Sequence, residues 1–217
     1  MEKRKKILIS TVLILIFIIS ACSVKTEDKY LVKNHLDDVI VKIDDVEYCF
    51  GDIGYYITNG EAAVESQALV YNPDDPTEYW NKHTNGIFIR VEARDSVMNN
   101  FVKDVILSSE AENQGLSLTD EQKQQCSQSA QTILGQLNNY QKEQAGLTAD
   151  NIDKALQRAC LAQSYIEYKL QNEDSNYTQD DWNLDGVCYK AILENHKVKV
   201  ITKIWEKPDF GNITIER

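Results

Sequence analysis

Val39-Ile40-Val41-Lys42-Ile43 and Val46-Glu47-Tyr48-Cys49-Phe50, separated only by Asp44-Asp45, are the stretch that decides the fold of this chain. β-Branched and aromatic residues dominate both runs, and a two-residue gap is the length of a tight hairpin loop, so the stretch predicts an antiparallel hairpin. Asp-Asp is a poor sequence for such a turn, because positive φ at both positions sets each Cβ against the backbone. At the other end of the chain, Val198-Lys199-Val200-Ile201-Thr202-Lys203-Ile204 alternates like a strand. A strand at each end of an otherwise helical chain has one economical arrangement. The last strand pairs with the hairpin, giving a small antiparallel sheet packed against helices.

The residues between these ends follow helical spacing. Ile53, Tyr56, Ile57, Val64, Ala68 and Leu69 mark a first helix, which Asn72-Pro73-Asp74-Asp75-Pro76 must end because proline lacks the amide and restricts its predecessor. After a loop containing Trp80, a long helix carries Ile87, Val91, Val97, Met98, Phe101, Val102, Val105 and Ile106 and runs to Gly115, placed as its C′ residue. Thr119-Asp120-Glu121-Gln122 reads as the capping box of a third helix, which continues through Cys126, Ala130, Ile133, Leu134, Leu137 and Tyr140 to Gly146. A fourth helix, capped by Thr148 or Asp150, carries Ile152, Ala155, Leu156, Ala159, Ile166 and Leu170, and a fifth spans Thr178 to Asn195. The fold class is therefore mainly α, with five helices and the small sheet, and long helices joined by short turns leave open grooves.

The chain has 217 residues, 42% of them hydrophobic, and a formal net charge of −11. That size suits one compact domain, and such an acidic surface repels phosphate backbones, so no nucleic-acid partner is expected. Met1 to Lys6 is basic and Ile7 to Ile19 is an apolar run too short to span a bilayer core of about 30 Å, which is the pattern of a signal segment. Its ending, Ile19-Ser20-Ala21-Cys22, resembles the lipobox of bacterial lipoproteins. The resemblance implies cleavage after residue 21 and acyl chains, such as palmitate, on Cys22, holding the protein at the extracytoplasmic face of the cell membrane. Residues 22–38 then read as a lipidated tether, 39–206 as the folded domain and 207–217 as a C-terminal tail.

Three pieces of this chain together resemble a second family. They are the hairpin followed by Phe50-Gly51-Asp52-Ile53-Gly54-Tyr55-Tyr56-Ile57, the helix junction Ala111-x-x-x-Gly115-Leu116-x-Leu118-Thr119-Asp120, and the terminal strand Val198 to Trp205. They look like the chaperone domain of SurA and PrsA, the exported peptidyl-prolyl isomerase chaperones, over roughly Val39 to Trp205. In that family a parvulin isomerase domain is inserted before the last helix and strand, whereas here only Gln171 to Tyr177 lie in between. The resemblance thus implies a SurA-like chaperone domain without the isomerase, binding unfolded exported polypeptides, with no enzyme activity and no cofactor. The alternative is a scaffolding lipoprotein that recognises one folded partner or a small ligand.

Tyr55, Tyr56, Tyr71, Tyr79 and Trp80 concentrate aromatic surface around the first helix and its loop, and are the expected polypeptide-binding residues; packing is the competing account of the same cluster. Other chemistry is weakly signalled. Asp181-Trp182-Asn183-Leu184-Asp185-Gly186 opens like an EF-hand loop, but Ile192 stands where calcium requires a bidentate Glu, so no metal is expected. His35, His83 and His196 lie in no common motif, and His196 at a helix end is expected to face the helix dipole and solvent. Cys49, Cys126, Cys160 and Cys188 lack the close spacing of a zinc site; Cys126 and Cys160 fall at apolar helical positions, and four thiols leave three disulfide connectivities open.

Overall fold

The computed structural model describes residues 29–172 and 177–217. The signal segment and Cys22 lie outside the described residues. Within them the protein is mainly helical, with a small antiparallel sheet. β1 (Val39–Ile43) and β2 (Val46–Cys49) form the hairpin, and α1 (Phe50–Tyr71) follows directly. The short α2 (Thr77–Trp80) and a second hairpin, β3 (His83–Thr84) with β4 (Ile87–Phe88), lead into α3 (Ile89–Asn113). Then come α4 (Asp120–Gln136), α5 (Asn139–Gln144), α6 (Ala149–Asn172), α7 (Val187–Leu193), β5 (Val198–Val200) and α8 (Thr202–Trp205).

The sheet runs β2-β1-β5 with both pairs antiparallel, so the terminal strand joins the hairpin as its pattern predicts. Val41 stands opposite Tyr48 on one side and Val200 on the other. The Asp44-Asp45 turn needs positive φ only at Asp44, at 52°. That strain is offset across the sheet: the Lys197 amide donates to Asp44 Oδ1 at 2.8 Å, and His196 Nδ1 sits 2.8 Å from Oδ2. The same two contacts, led by the Lys197 amide, hold the Asp44 carboxyl below its usual range. His196 therefore fastens the hairpin tip instead of facing solvent at a helix end.

The main core gathers Phe50, Ile53 and Ile57 of α1, Phe101, Val105 and Ile106 of α3, and Ile40 and Val41 of β1. A second cluster joins Leu107 and Ala111 to Leu161, Tyr165, Trp182 and Tyr189. A smaller one holds Ala130 of α4 with Ala145, Leu147 and Ile152. The junction into α4 is built as expected. Gly115 adopts φ 78°, the Leu116 amide donates to the Ala111 carbonyl at 2.9 Å, and the Thr119 and Gln122 side chains cap each other's amides.

Four expectations about the elements change. The single third helix breaks at Leu137-Asn138, because Asn138 makes its own capping box with Gln141 and starts α5. The fifth helix is a 3-10 turn, Gln179–Trp182, and a separate α7 after Gly186; Asp181 is used as a cap, accepting from the Thr178 amide at 2.7 Å. With these breaks and the short α2 and α8, the described residues form eight α-helices instead of five. The last strand stops at Val200, since the chain turns into α8 to bury Trp205 against Phe50 and Phe210.

The segment after 206 is no free tail. Phe210, Ile213 and Thr214 are buried, and the fully buried Glu61 of α1 accepts from the amides of Gly211, Ile213 and Thr214 and from the Thr214 hydroxyl. The end of the expected tether is likewise part of the fold: Val32 is buried, and Tyr30 stacks on His35 with ring centroids 4.1 Å apart. Among the described residues no helix is long and apolar enough to cross a membrane.

Candidate functional site

α1, α3 and α6 do not close on one another completely. Between them runs a groove of about 760 Å³ lined by Tyr55, Tyr56, Val64, Tyr79, Ala93 and Leu156 among others. Its floor depends on Gly60, where a Cβ would come within 2.3 Å of Val97 on α3; the absent side chain lets the two helices approach. Charge in the lining is acidic, from Glu92 and Asp104. At one end the β3–β4 hairpin contributes Thr84, and its Ile87 and Phe88 remain exposed.

Of the five aromatic residues expected to bind polypeptide, Tyr55, Tyr56 and Tyr79 line this groove. Tyr71 lies outside it, against the Tyr79 ring at 5.5 Å and beneath the Lys82 ammonium at 3.9 Å. Trp80 is corrected to a core residue: it is 1% exposed, and its indole N–H donates to Glu65 Oε2 at 2.7 Å.

Tyr56 turns its hydroxyl to Asp104 Oδ2 at 2.9 Å. Burial pushes the Asp104 carboxyl above the usual carboxylate range, and the Tyr56 hydrogen bond and the nearby Lys103 and Arg158 charges only partly offset it. The folded state therefore binds this proton more tightly than the unfolded chain. This group's contribution to stability falls as pH rises from the unfolded value of about 4 through the folded one. Asp104→Asn removes that slope while keeping an acceptor for Tyr56. Thermal melts across this window should show wild type losing ground to the variant as pH rises, and a constant gap would contradict the assignment.

Behind Tyr56 stands Phe101, fully buried, with the edge of Tyr56 at 5.3 Å, the edge of Tyr48 also at 5.3 Å, and the Arg158 guanidinium 5.0 Å from its ring centre. Tyr48 faces a second groove of about 750 Å³ between the hairpin and α6. This one is of mixed charge, with Lys123, Lys154 and Arg158 against Glu112, Asp44 and Asp45. Phe101 is thus the partition between an apolar groove and a charged one. No family model, curated protein or solved structure matches this chain. What the grooves can do must follow from their chemistry.

His35 bonds Asp38, His83 packs on Phe88 with centroids 3.8 Å apart, and His196 bonds Asp44, so the histidines serve three separate local contacts. Among the described residues no group of three or more His, Cys, Asp or Glu side chains is arranged to hold a metal ion. The sequence pattern misses the second groove. Its trace is Lys154 and Arg158, one helical turn apart on α6 and so on one face.

Proposed function

We propose that this protein is a lipid-anchored, extracytoplasmic holdase that keeps unfolded exported polypeptides from aggregating, without catalysis. The observation that carries this reading is the apolar, tyrosine-walled groove between α1, α3 and α6, beside the β3–β4 hairpin on which Ile87 and Phe88 are exposed. Tyrosines offer large contact area at low entropic cost, and an apolar trough discriminates poorly among side chains, which suits weak, promiscuous capture. The acidic lining adds a preference for apolar segments flanked by lysine or arginine. A hairpin completed by the terminal strand against long helices also supports a SurA-like architecture, and the lipobox-like ending at Cys22 supports the anchor.

The test is suppression of aggregation of a reduced, unfolded protein by the chain from Ser23 onward, at several-fold excess. Ala159→Trp places a bulky side chain in the groove and should raise the concentration needed for half-suppression several-fold while the circular dichroism spectrum is unchanged. Equal suppression by the variant, or none by wild type, would overturn the reading. One feature favours a second reading: a half-buried Tyr56–Asp104 pair in an apolar wall is also how small-ligand sites are built. That reading predicts one saturable complex from an envelope extract in place of many unfolded species.

A further inference from the structure

The groove between the hairpin and α6 gathers five charged side chains that find no counter-ion. Lys123 comes from α4, Lys154 and Arg158 from α6, Asp45 from the hairpin turn and Glu112 from the last turn of α3. Elsewhere the excess of acids gives Lys33, Lys42 and Arg90 a carboxylate each. Among the described residues none of the five groove charges makes an ion pair. Opposite charges that share a groove without closing on one another are held apart by its width. Asp44 also lines it, but is engaged by His196 and the Lys197 amide.

Arg158 is the most telling of the five. Its guanidinium lies 5.0 Å from the Phe101 ring centre and 5.9 Å from that of Tyr48, and its Nη1 is shut off from solvent with no hydrogen-bond partner. A guanidinium partly withdrawn from water ordinarily keeps a carboxylate beside it, because only a partner offsets the lost hydration. Asp104, in the other groove, bonds Tyr56 instead. Lys154, one turn before Arg158, adds a like charge on the same helix face, an unfavourable spacing that an anion between them would relieve. Around the charges lie apolar surfaces of Tyr48, Leu116, Leu161 and Val46, the last 53% exposed.

We propose that this groove binds short apolar peptides with both termini free, the carboxylate held by Lys154, Arg158 and Lys123 and the ammonium by Asp45 and Glu112. A volume of about 750 Å³ is that of a small-molecule site. The forked guanidinium suits a carboxylate, and Val46 and Leu161 receive the apolar side chains between the termini. A peptide fits better than one amino acid, whose two charges share a single carbon. Here the acids and cations stand on different elements, and each residue of an extended peptide adds about 3.5 Å between its ends. The inference is independent of what the apolar groove binds.

The experiment titrates leucyl-leucine into the full chain in detergent micelles by calorimetry, beside N-acetyl-leucyl-leucine, leucyl-leucine amide and leucine. Expected is one saturable site for leucyl-leucine, weakened about tenfold or more by blocking either terminus, and weaker still for leucine. Lys154→Glu, at an exposed position, should cost leucyl-leucine about tenfold and bring no further loss for the amide, which lacks the carboxylate. Glu112→Gln, also exposed, should weaken leucyl-leucine and bring no further loss for the N-acetyl form. Ala159→Trp, which fills the other groove, should leave the titration unchanged, so this proposal and the holdase reading fail separately. The proposal is overturned by no saturable binding of leucyl-leucine, by equal binding of leucine or of the blocked forms, or by indifference to Lys154→Glu.

Discussion

Glu61→Ala is expected to lower the melting temperature by about 10–20 °C. The Glu61 carboxylate is fully buried and all of its contacts are donors: Oε1 accepts from the Gly211 and Ile213 amides at 2.6 and 3.2 Å, and Oε2 from the Thr214 amide and hydroxyl, each at 2.6 Å. Burial raises its pKa while these four donors favour the charged form. Truncation leaves three backbone amides without an acceptor, and each such loss costs about 1–3 kcal/mol. Gly211 compounds the effect: at φ 93° it holds a conformation few residues adopt, and its backbone lies against the Trp80 ring. Residues 208–217 should become the first site of proteolysis in the variant. Glu61→Gln, which keeps one acceptor oxygen but turns an amide against two donors, should recover less than half of the loss. A drop under about 2 °C for Glu61→Ala would show that the C-terminal segment is not anchored through this carboxylate.

Phe101→Ala should destabilise by about 3–5 kcal/mol, the usual range for a large aromatic deleted from a core. Beyond the cavity, two edge-to-face ring contacts and the surface under Arg158 disappear together. The two grooves then lose their partition. Hydrogen exchange of the α3 amides around residue 101 should accelerate along with the fall in melting temperature, whereas Phe101→Leu should show a much smaller change in both. Equal effects of the two variants would mean that the ring contacts, which both variants lose, carry the whole effect and the lost volume contributes nothing.

The elements most legible in the sequence are those specified locally. Gly115 followed by Thr119-x-x-Gln122 encodes a helix stop and start within a dozen residues, and the structure builds both. Asn138-x-x-Gln141 is the same signal; inside a continuing apolar stripe it is easily passed over, and it is what ends the expected long third helix at Leu137. Gly186 similarly divides the expected fifth helix, where an added Cβ would meet the Asp181 carbonyl at 2.1 Å. The remaining differences are tertiary. Nothing near Glu61 announces that it will satisfy amides at residues 211–214, and nothing near Trp80 announces that its indole is taken by Glu65. Of the site, the aromatic concentration points to the right helix, yet which rings face the groove depends on how α1 and α3 cross at Gly60.

β1 sits in the middle of its sheet, with one neighbour supplied immediately by the hairpin and the other only by residues 198–200. Translation delivers the second neighbour, and the amides that satisfy Glu61, about 150 residues after the groups they complete. A nascent chain that has not yet reached residues 198–214 holds an unfinished sheet edge and an acid without its donors, so the domain locks only when those residues arrive.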